Sequence, residues 1–343
     1  MSAAAADPDN GTGKVYVVGG QVSGAVVDVA SVYDPKLGVW GPLPSMAAPR
    51  AWPAAGFIGG KLYVAGGSDG GSYLNTVEVY DPATKAWSAG RPAPEPLTGV
   101  TGAVGGGRLY AGACTDADCS GPTRMYAYQP STGTWTRVAD YPLAAKTMAC
   151  AGIAGKLYCA GGFVNDDITA KGYTFDPATN KWSPIPDMPT GLARTAYFAA
   201  NGKLVVAGGI VPDGAVTSTF AYDPVARTWA TLPDRKTALQ ESAGACGGYA
   251  VGGHRNHSSD TSASAETLPG YDRCGSEGDT NVSWLGAKTS ATVIKPGGSV
   301  TVTVNLDATG TVAGKYRAAL AVLADTPYSI TPIGIGLTVT DGS

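Results

Sequence analysis

Both histidines of the sequence fall in one tetrapeptide, His254-Arg255-Asn256-His257. Imidazoles this close in a loop are candidates for a loose metal site or for proton transfer. The tetrapeptide is instead read as a solvated polar loop. A second set is cationic and aromatic. Arg50, Lys146, Arg194 and Glu241 occupy roughly equivalent places in a repeat, with Gln240 beside the last, and Trp52, Tyr73 and Tyr197 lie close by. Guanidinium groups beside aromatic rings suit the carboxylates of acidic peptides or sugars, because the planar fork pairs with both oxygens. Two stretches are rich in carboxylates: Cys114-Thr115-Asp116-Ala117-Asp118-Cys119 and Asn165-Asp166-Asp167. Neither has the spacing of a dedicated calcium loop, and both are read as solvated turns. A phosphate-cradling Gly-x-x-x-x-Gly-Lys-Ser/Thr loop is absent. No residue is assigned a catalytic role, and no metal or cofactor is expected.

Composition narrows the partners. The 343 residues carry a formal net charge of −3, so there is no cationic excess to neutralise phosphates, and no nucleic-acid partner is expected. No apolar run approaches the ~20 residues that a membrane helix needs. With 49 Gly and 24 Pro, the chain is turn-rich. Its 6 Cys include no Cys-x-x-Cys pair, which argues against structural zinc. Three disulfides would place the chain in an oxidising compartment, so it is expected to be secreted or extracellular. The start, Met-Ser-Ala-Ala-Ala-Ala, lacks a charged-then-apolar leader and is read as an added start on a piece of a secreted protein.

A repeat supplies the elements. Trp40, Trp87, Trp135, Trp182 and Trp229 are spaced 47, 48, 47 and 47 residues apart. Seven positions before each stands an aromatic followed by Asp-Pro or Gln-Pro: Tyr33, Tyr80, Tyr128, Phe175 and Tyr222. Gly-Gly ends an apolar run at Gly19-Gly20, Gly66-Gly67, Gly161-Gly162, Gly208-Gly209 and Gly252-Gly253, degraded to Gly112-Ala113 in the third unit. Each unit reads as four short strands, a to d. Gly59-Gly60 and Asn201-Gly202 are tight a–b turns, and Asp-Pro opens the c–d turn. Four antiparallel strands repeated around a ring make a β-propeller.

The Gly-Gly pair and the Tyr and Trp separated by six residues resemble the kelch repeat over roughly residues 14–273. The expected fold is all-β, a six-bladed kelch-type propeller over residues 14–274. The first unit lacks a clear strand a, and the sixth has Tyr271-Asp272 without its Trp. Residues 1–13 are therefore a candidate closing segment. Across the turn at Ala154-Gly155, Cys150 and Cys159 fall opposite each other at a non-hydrogen-bonded pair, which predicts a disulfide. Cys246–Cys274 and Cys114–Cys119 are expected as well. Residues 275–343 resemble a small immunoglobulin-like β-sandwich, with Trp284-Leu285, the Pro296-Gly297-Gly298-Ser299 turn and a closing Leu337-Thr338-Val339.

In such a blade, the d–a and b–c links share one face and vary most, which is where binding usually resides. The resemblance to kelch domains implies a peptide, protein or glycan ligand there. The candidate residues are Arg50, Trp52, Tyr73, Lys146, Arg194, Tyr197, Gln240, Glu241, His254 and Arg255. Some kelch-like propellers are copper oxidases, but here both histidines share one loop and the cysteines have other partners. Kelch repeats followed by an immunoglobulin-like domain resemble accessory regions of secreted subtilisin-like serine proteases of actinobacteria. The expected function is a non-catalytic binding module of such a protein. The alternatives are a carbohydrate-acting propeller enzyme, of sugar mutarotase or oxidase type, and a glycan-binding adhesin.

Overall fold

The spacing of each aromatic and its Trp follows from a tight turn that sets them opposite each other. In the computed structural model, Tyr33, Tyr80, Tyr128, Phe175 and Tyr222 pair directly with Trp40, Trp87, Trp135, Trp182 and Trp229 across strands c and d. Their ring centroids lie 5.0–5.2 Å apart. Such cross-strand aromatic pairs stabilise a sheet beyond their buried area. The aspartate after the aromatic holds the turn. Asp81 Oδ1 accepts from the Ala83 N–H at 2.8 Å, and its other oxygen meets Lys61 at the start of strand b, 3.0 Å away. Asp34, Asp176 and Asp223 repeat this with Lys14, Lys156 and Lys203. In the third unit, Arg108 and Gln129 replace the pair at 2.9 Å.

The structure describes residues 2–6, 13–97, 102–113, 121–255, 262, 264–271, 285–290, 299, 301–307, 314–320 and 333–339. It is organised as two units, Met1–Ser276 and Glu277–Ser343. Five four-stranded antiparallel sheets fill most of the first unit. They are Ala3–Ala6, Val15–Val18, Ala30–Asp34 and Val39–Pro42; Ala54–Ile58, Lys61–Ala65, Val77–Asp81 and Ala86–Gly90; Gly102–Gly105, Arg108–Ala113, Arg124–Gln129 and Thr134–Val138; Ala149–Ile153, Lys156–Ala160, Gly172–Asp176 and Lys181–Ile185; and Ala196–Ala200, Lys203–Ala207, Thr219–Asp223 and Thr228–Leu232. A further sheet has three strands among the described residues: Ala243–Ala245, Tyr249–Val251 and Ala265–Thr267. The first strands of these sheets touch in sequence order, and Ala243–Ala245 touches Ala3–Ala6. The inner strands thus form a closed ring.

Strand a of the first sheet is Ala3–Ala6, paired in register with Val15–Val18, where the sequence offered only a candidate closing segment. Alanine has little strand propensity. Packing decides here: Ala5 and Ala6 are buried against Tyr16, Phe57 and Val15. The a–b turns are as expected. Both residues have positive φ at Gly59-Gly60 (57° and 74°), Ala154-Gly155 (49° and 73°) and Asn201-Gly202 (53° and 68°).

The sheets are tied edge to edge by their tryptophans. The indole N–H of Trp87 donates to Pro44 O at 2.7 Å, that of Trp135 to Arg91 O at 3.0 Å, that of Trp182 to Ala139 O at 2.9 Å and that of Trp229 to Pro186 O at 2.8 Å. Each bond joins a strand d to the link leaving the sheet before it.

Cys150 and Cys159 are cross-strand partners joined by a disulfide, with Cα atoms 4.2 Å apart, as the register predicted. Replacing both with alanine is expected to lower the unfolding free energy by about 2–4 kcal/mol, nearer the lower figure because the closed loop is short. Denaturant midpoints of the two proteins measure this. Cys246 is also disulfide-bonded. Its expected partner, Cys274, and the expected pair Cys114–Cys119 lie outside the described residues.

In the second unit, Leu285–Thr289 pairs with Val302–Leu306, and Gly314–Leu320 pairs with Ile333–Val339. Trp284 lies outside the described residues. No described helix is long and apolar enough to cross a membrane.

Candidate functional site

Backbone bonds establish which positions of the d–a links correspond. Ala51, Lys146, Ala193 and Gln240 each bridge to the residue after a Gly-Gly pair: Ser68, Phe163, Ile210 and His254. The next residues, Trp52, Thr147, Arg194 and Glu241, all have φ between 53° and 57°. This left-handed turn lifts the chain out of the link just before strand a begins. The equivalence read from the sequence is therefore off by two positions at Arg50 and by one at Lys146, both of which precede that turn.

Arg50 is fully buried. Its guanidinium donates to Gly66 O at 3.0 Å, to Thr76 Oγ1 at 3.3 Å and to the Glu78 carboxylate. Glu78 also accepts the backbone N–H groups of Ala47 (2.7 Å) and Ala48 (3.3 Å). The pair clamps a d–a link onto strand c and leaves Arg50 without exposed surface. Tyr197, of the fifth sheet, is likewise occupied. Its hydroxyl meets the Gly102 N–H and C=O of the third sheet, 3.4 Å from each, so the side chain crosses in front of the inner strand of the fourth sheet, which lies between the two. Trp52 is half-buried, and Tyr73 is exposed on a b–c link. Lys146 pairs with Asp166, a highly exposed carboxylate, at 2.8 Å.

The structure does bring four of the candidates together. Arg194 Nη1 donates to Gln240 Oε1 at 3.2 Å and sits 3.4 Å from Glu241 Oε1. His254 Nε2 lies 3.4 Å from Glu241 Oε2. The Arg194 guanidinium stands over the Phe163 ring, 5.6 Å from its centroid, in cation–π range. Arg194 keeps 33% of its side chain exposed, whereas Glu241 keeps 8%. Burial alone would push the Glu241 carboxyl up; the positive charges around it, Arg194 and His254 among them, hold it below the usual carboxylate range instead. Gln240 is buried, and its Nε2 donor has no partner among the described residues. An unmet buried donor costs about 1–3 kcal/mol, so this corner favours an acceptor. Arg255 is exposed next to His254; His257 lies outside the described residues.

Phe163, Thr147 and Glu78 were missed in the sequence. Glu78 left a legible trace, since it is the one charge in an otherwise apolar strand, Val77–Asp81, before the turn aspartate. No group of three or more His, Cys, Asp or Glu able to hold a metal occurs among the described residues.

The ring of four-stranded sheets, the paired Tyr and Trp, and the glycine pairs define an all-β propeller of kelch type. The Kelch motif matches residues 11–47, 49–94 and 145–189. Among solved structures, that of YjhT is similar, with a TM-score of 0.63 and 18% identity, covering 77% of this chain and 94% of that one. At such identity the likeness concerns the fold alone. No curated protein matches the sequence.

Proposed function

We propose that the chain is a non-catalytic binding module that takes a peptide, protein or glycan ligand on the face formed by the d–a and b–c links. The observation that carries this reading is Arg194: a partly exposed guanidinium held by Gln240 and a buried carboxylate, with an aromatic ring beneath it. Such a group is pre-organised to meet a carboxylate. The Kelch motifs support a binding role. We read the ring as six-bladed, in keeping with the closed circuit of inner strands, and the second unit as immunoglobulin-like. The disulfides support an extracellular setting. A place beside a subtilisin-like protease rests on the resemblance of the domain combination.

A screen of acidic peptides and uronate-bearing glycans tests this reading. Arg194→Ala is expected to weaken binding roughly 10- to 100-fold, the worth of about 1.5–3 kcal/mol for a hydrogen bond to a charged group. Unchanged affinity would sink the choice of site. A second reading, a carbohydrate-acting enzyme, is favoured by the proximity of the Glu241 carboxylate and the His254 imidazole beside Arg194. Turnover of a free sugar by the isolated chain, lost in Glu241→Gln, would establish it and overturn the non-catalytic reading.

A further inference from the structure

The repeat provides an internal control for every link, because equivalent positions show what the fold itself requires. In each described d–a link, one residue donates its N–H to a carbonyl ahead of strand c: Met46 to Asp28, Ala93 to Asn75, Tyr141 to Thr123, Met188 to Ala170 and Arg235 to Thr217. The residue that follows is Ala47, Pro94, Pro142, Pro189 or Lys236. The second residue after the Gly-Gly pair is Val22, Asp69, Val164, Val211 or Arg255. The architecture therefore asks for no cation at either place. Lys236 and Arg255 supply one at both, in adjacent segments.

These two side chains line a single notch of about 280 Å3, together with Ala215, Thr237 and Ala238. Its floor is fixed. Arg235 is buried beside Glu266 and donates to Ser242 Oγ at 2.9 Å, while Glu266 Oε2 accepts the Lys236 N–H at 3.0 Å. Glu266 Oε2 is thus taken by Arg235 and by the backbone, while Oε1 has no partner among the described residues. Neither the Lys236 ammonium nor the Arg255 guanidinium has a carboxylate partner among the described residues. The four strand-b lysines, by contrast, are each paired with an aspartate. Two uncompensated cations across a concavity raise the local positive potential. The volume is below that of a typical small-molecule site and suits one charged group.

We propose that this notch is an oxyanion subsite that takes a single phosphate, sulfate or carboxylate group. It adjoins the Arg194 site through His254, which precedes Arg255 and bridges to Gln240. The inference deepens the reading of that face as a binding face, by naming the chemistry of a second anchor on it.

The experiment titrates the whole chain with inorganic sulfate, inorganic phosphate and glucuronate, at ionic strength held constant with chloride, followed by calorimetry. Saturable binding of at least one anion is expected, at least tenfold weaker in Lys236→Gln/Arg255→Gln; in Arg194→Ala, sulfate and phosphate binding is retained, while glucuronate also loses the carboxylate contact at Arg194. The three anions distinguish the source of the charged group. A control variant, Lys85→Gln/Lys181→Gln, removes two exposed cations elsewhere and is expected to bind like wild type, and thermal melting checks that each variant is folded. No saturable binding, or equal binding by the Lys236/Arg255 variant, overturns the subsite. Oxyanion binding lost only in Arg194→Ala also overturns it, while leaving the binding face in place. Failure of Arg194→Ala to affect peptide or glycan binding overturns the face reading and leaves the notch intact.

Discussion

Glu78→Gln is expected to destabilise the propeller by about 3–5 kcal/mol, the cost of stranding a buried charge. Arg50 has no exposed surface, so once Glu78 loses its charge the guanidinium cannot turn to water. A loss of that size is a large part of the stability of an ordinary domain. The repeat suggests the compensating change. The Gly20 N–H donates to Arg50 O just as Gly67, Gly162 and Gly209 donate to Leu97, Leu192 and Leu239. Leucine is therefore the usual occupant of the Arg50 position. Arg50→Leu/Glu78→Leu is expected to recover most of the loss, because well-packed apolar groups can replace a buried ion pair at little cost. Urea midpoints of the wild type, the single variant and the double variant measure both effects. A single variant within 1 kcal/mol of wild type would refute the clamp.

The same comparison explains what the sequence revealed and what it hid. The strands, turns and Cys150–Cys159 bridge were legible because each rests on local pairing across a short turn, repeated with fixed spacing. The aromatic–Trp interval encodes one such pairing, and the positive-φ turn residues encode another. Arg50 was misread because its partner, Glu78, sits 28 residues away, at a distance in sequence that no local pattern spans. The offset at Lys146 arose for a related reason: the links vary in composition, and only the bridges to the b–c links align them. Arg194, Gln240, Glu241 and His254 were all singled out by residue type, but their convergence was not, because it joins links of two different sheets. Ala3–Ala6 escaped because alanine carries no strand signal of its own.

Gly152→Ala is expected to have the other largest effect. A Cβ at this position would stand 1.9 Å from Val104 O, 2.7 Å from Val104 C and 2.8 Å from Gly105 Cα. All three are backbone atoms of the neighbouring inner strand, so no side-chain rotation relieves the overlap. One methyl must push two sheets apart, and the cost is expected to exceed the roughly 1–3 kcal/mol of ordinary overpacking. Gly59→Asn is the control. Nothing lies within 4 Å of its Cβ site, and Asn201 already holds the matching turn position in the fifth sheet. Asparagine is accepted in this type of turn, so the change is expected to stay within about 0.5 kcal/mol. Melting temperatures of the two variants would separate close inter-strand approach from turn geometry. Equal and small shifts would refute the argument.

Tyr197 has a consequence for traffic through the ring. Its phenol reaches from the fifth sheet to the backbone of the third, like a bolt shot across a doorway. The phenol therefore stands in front of the fourth sheet's inner strand, and anything that enters the ring from the Arg194 side must pass beside it.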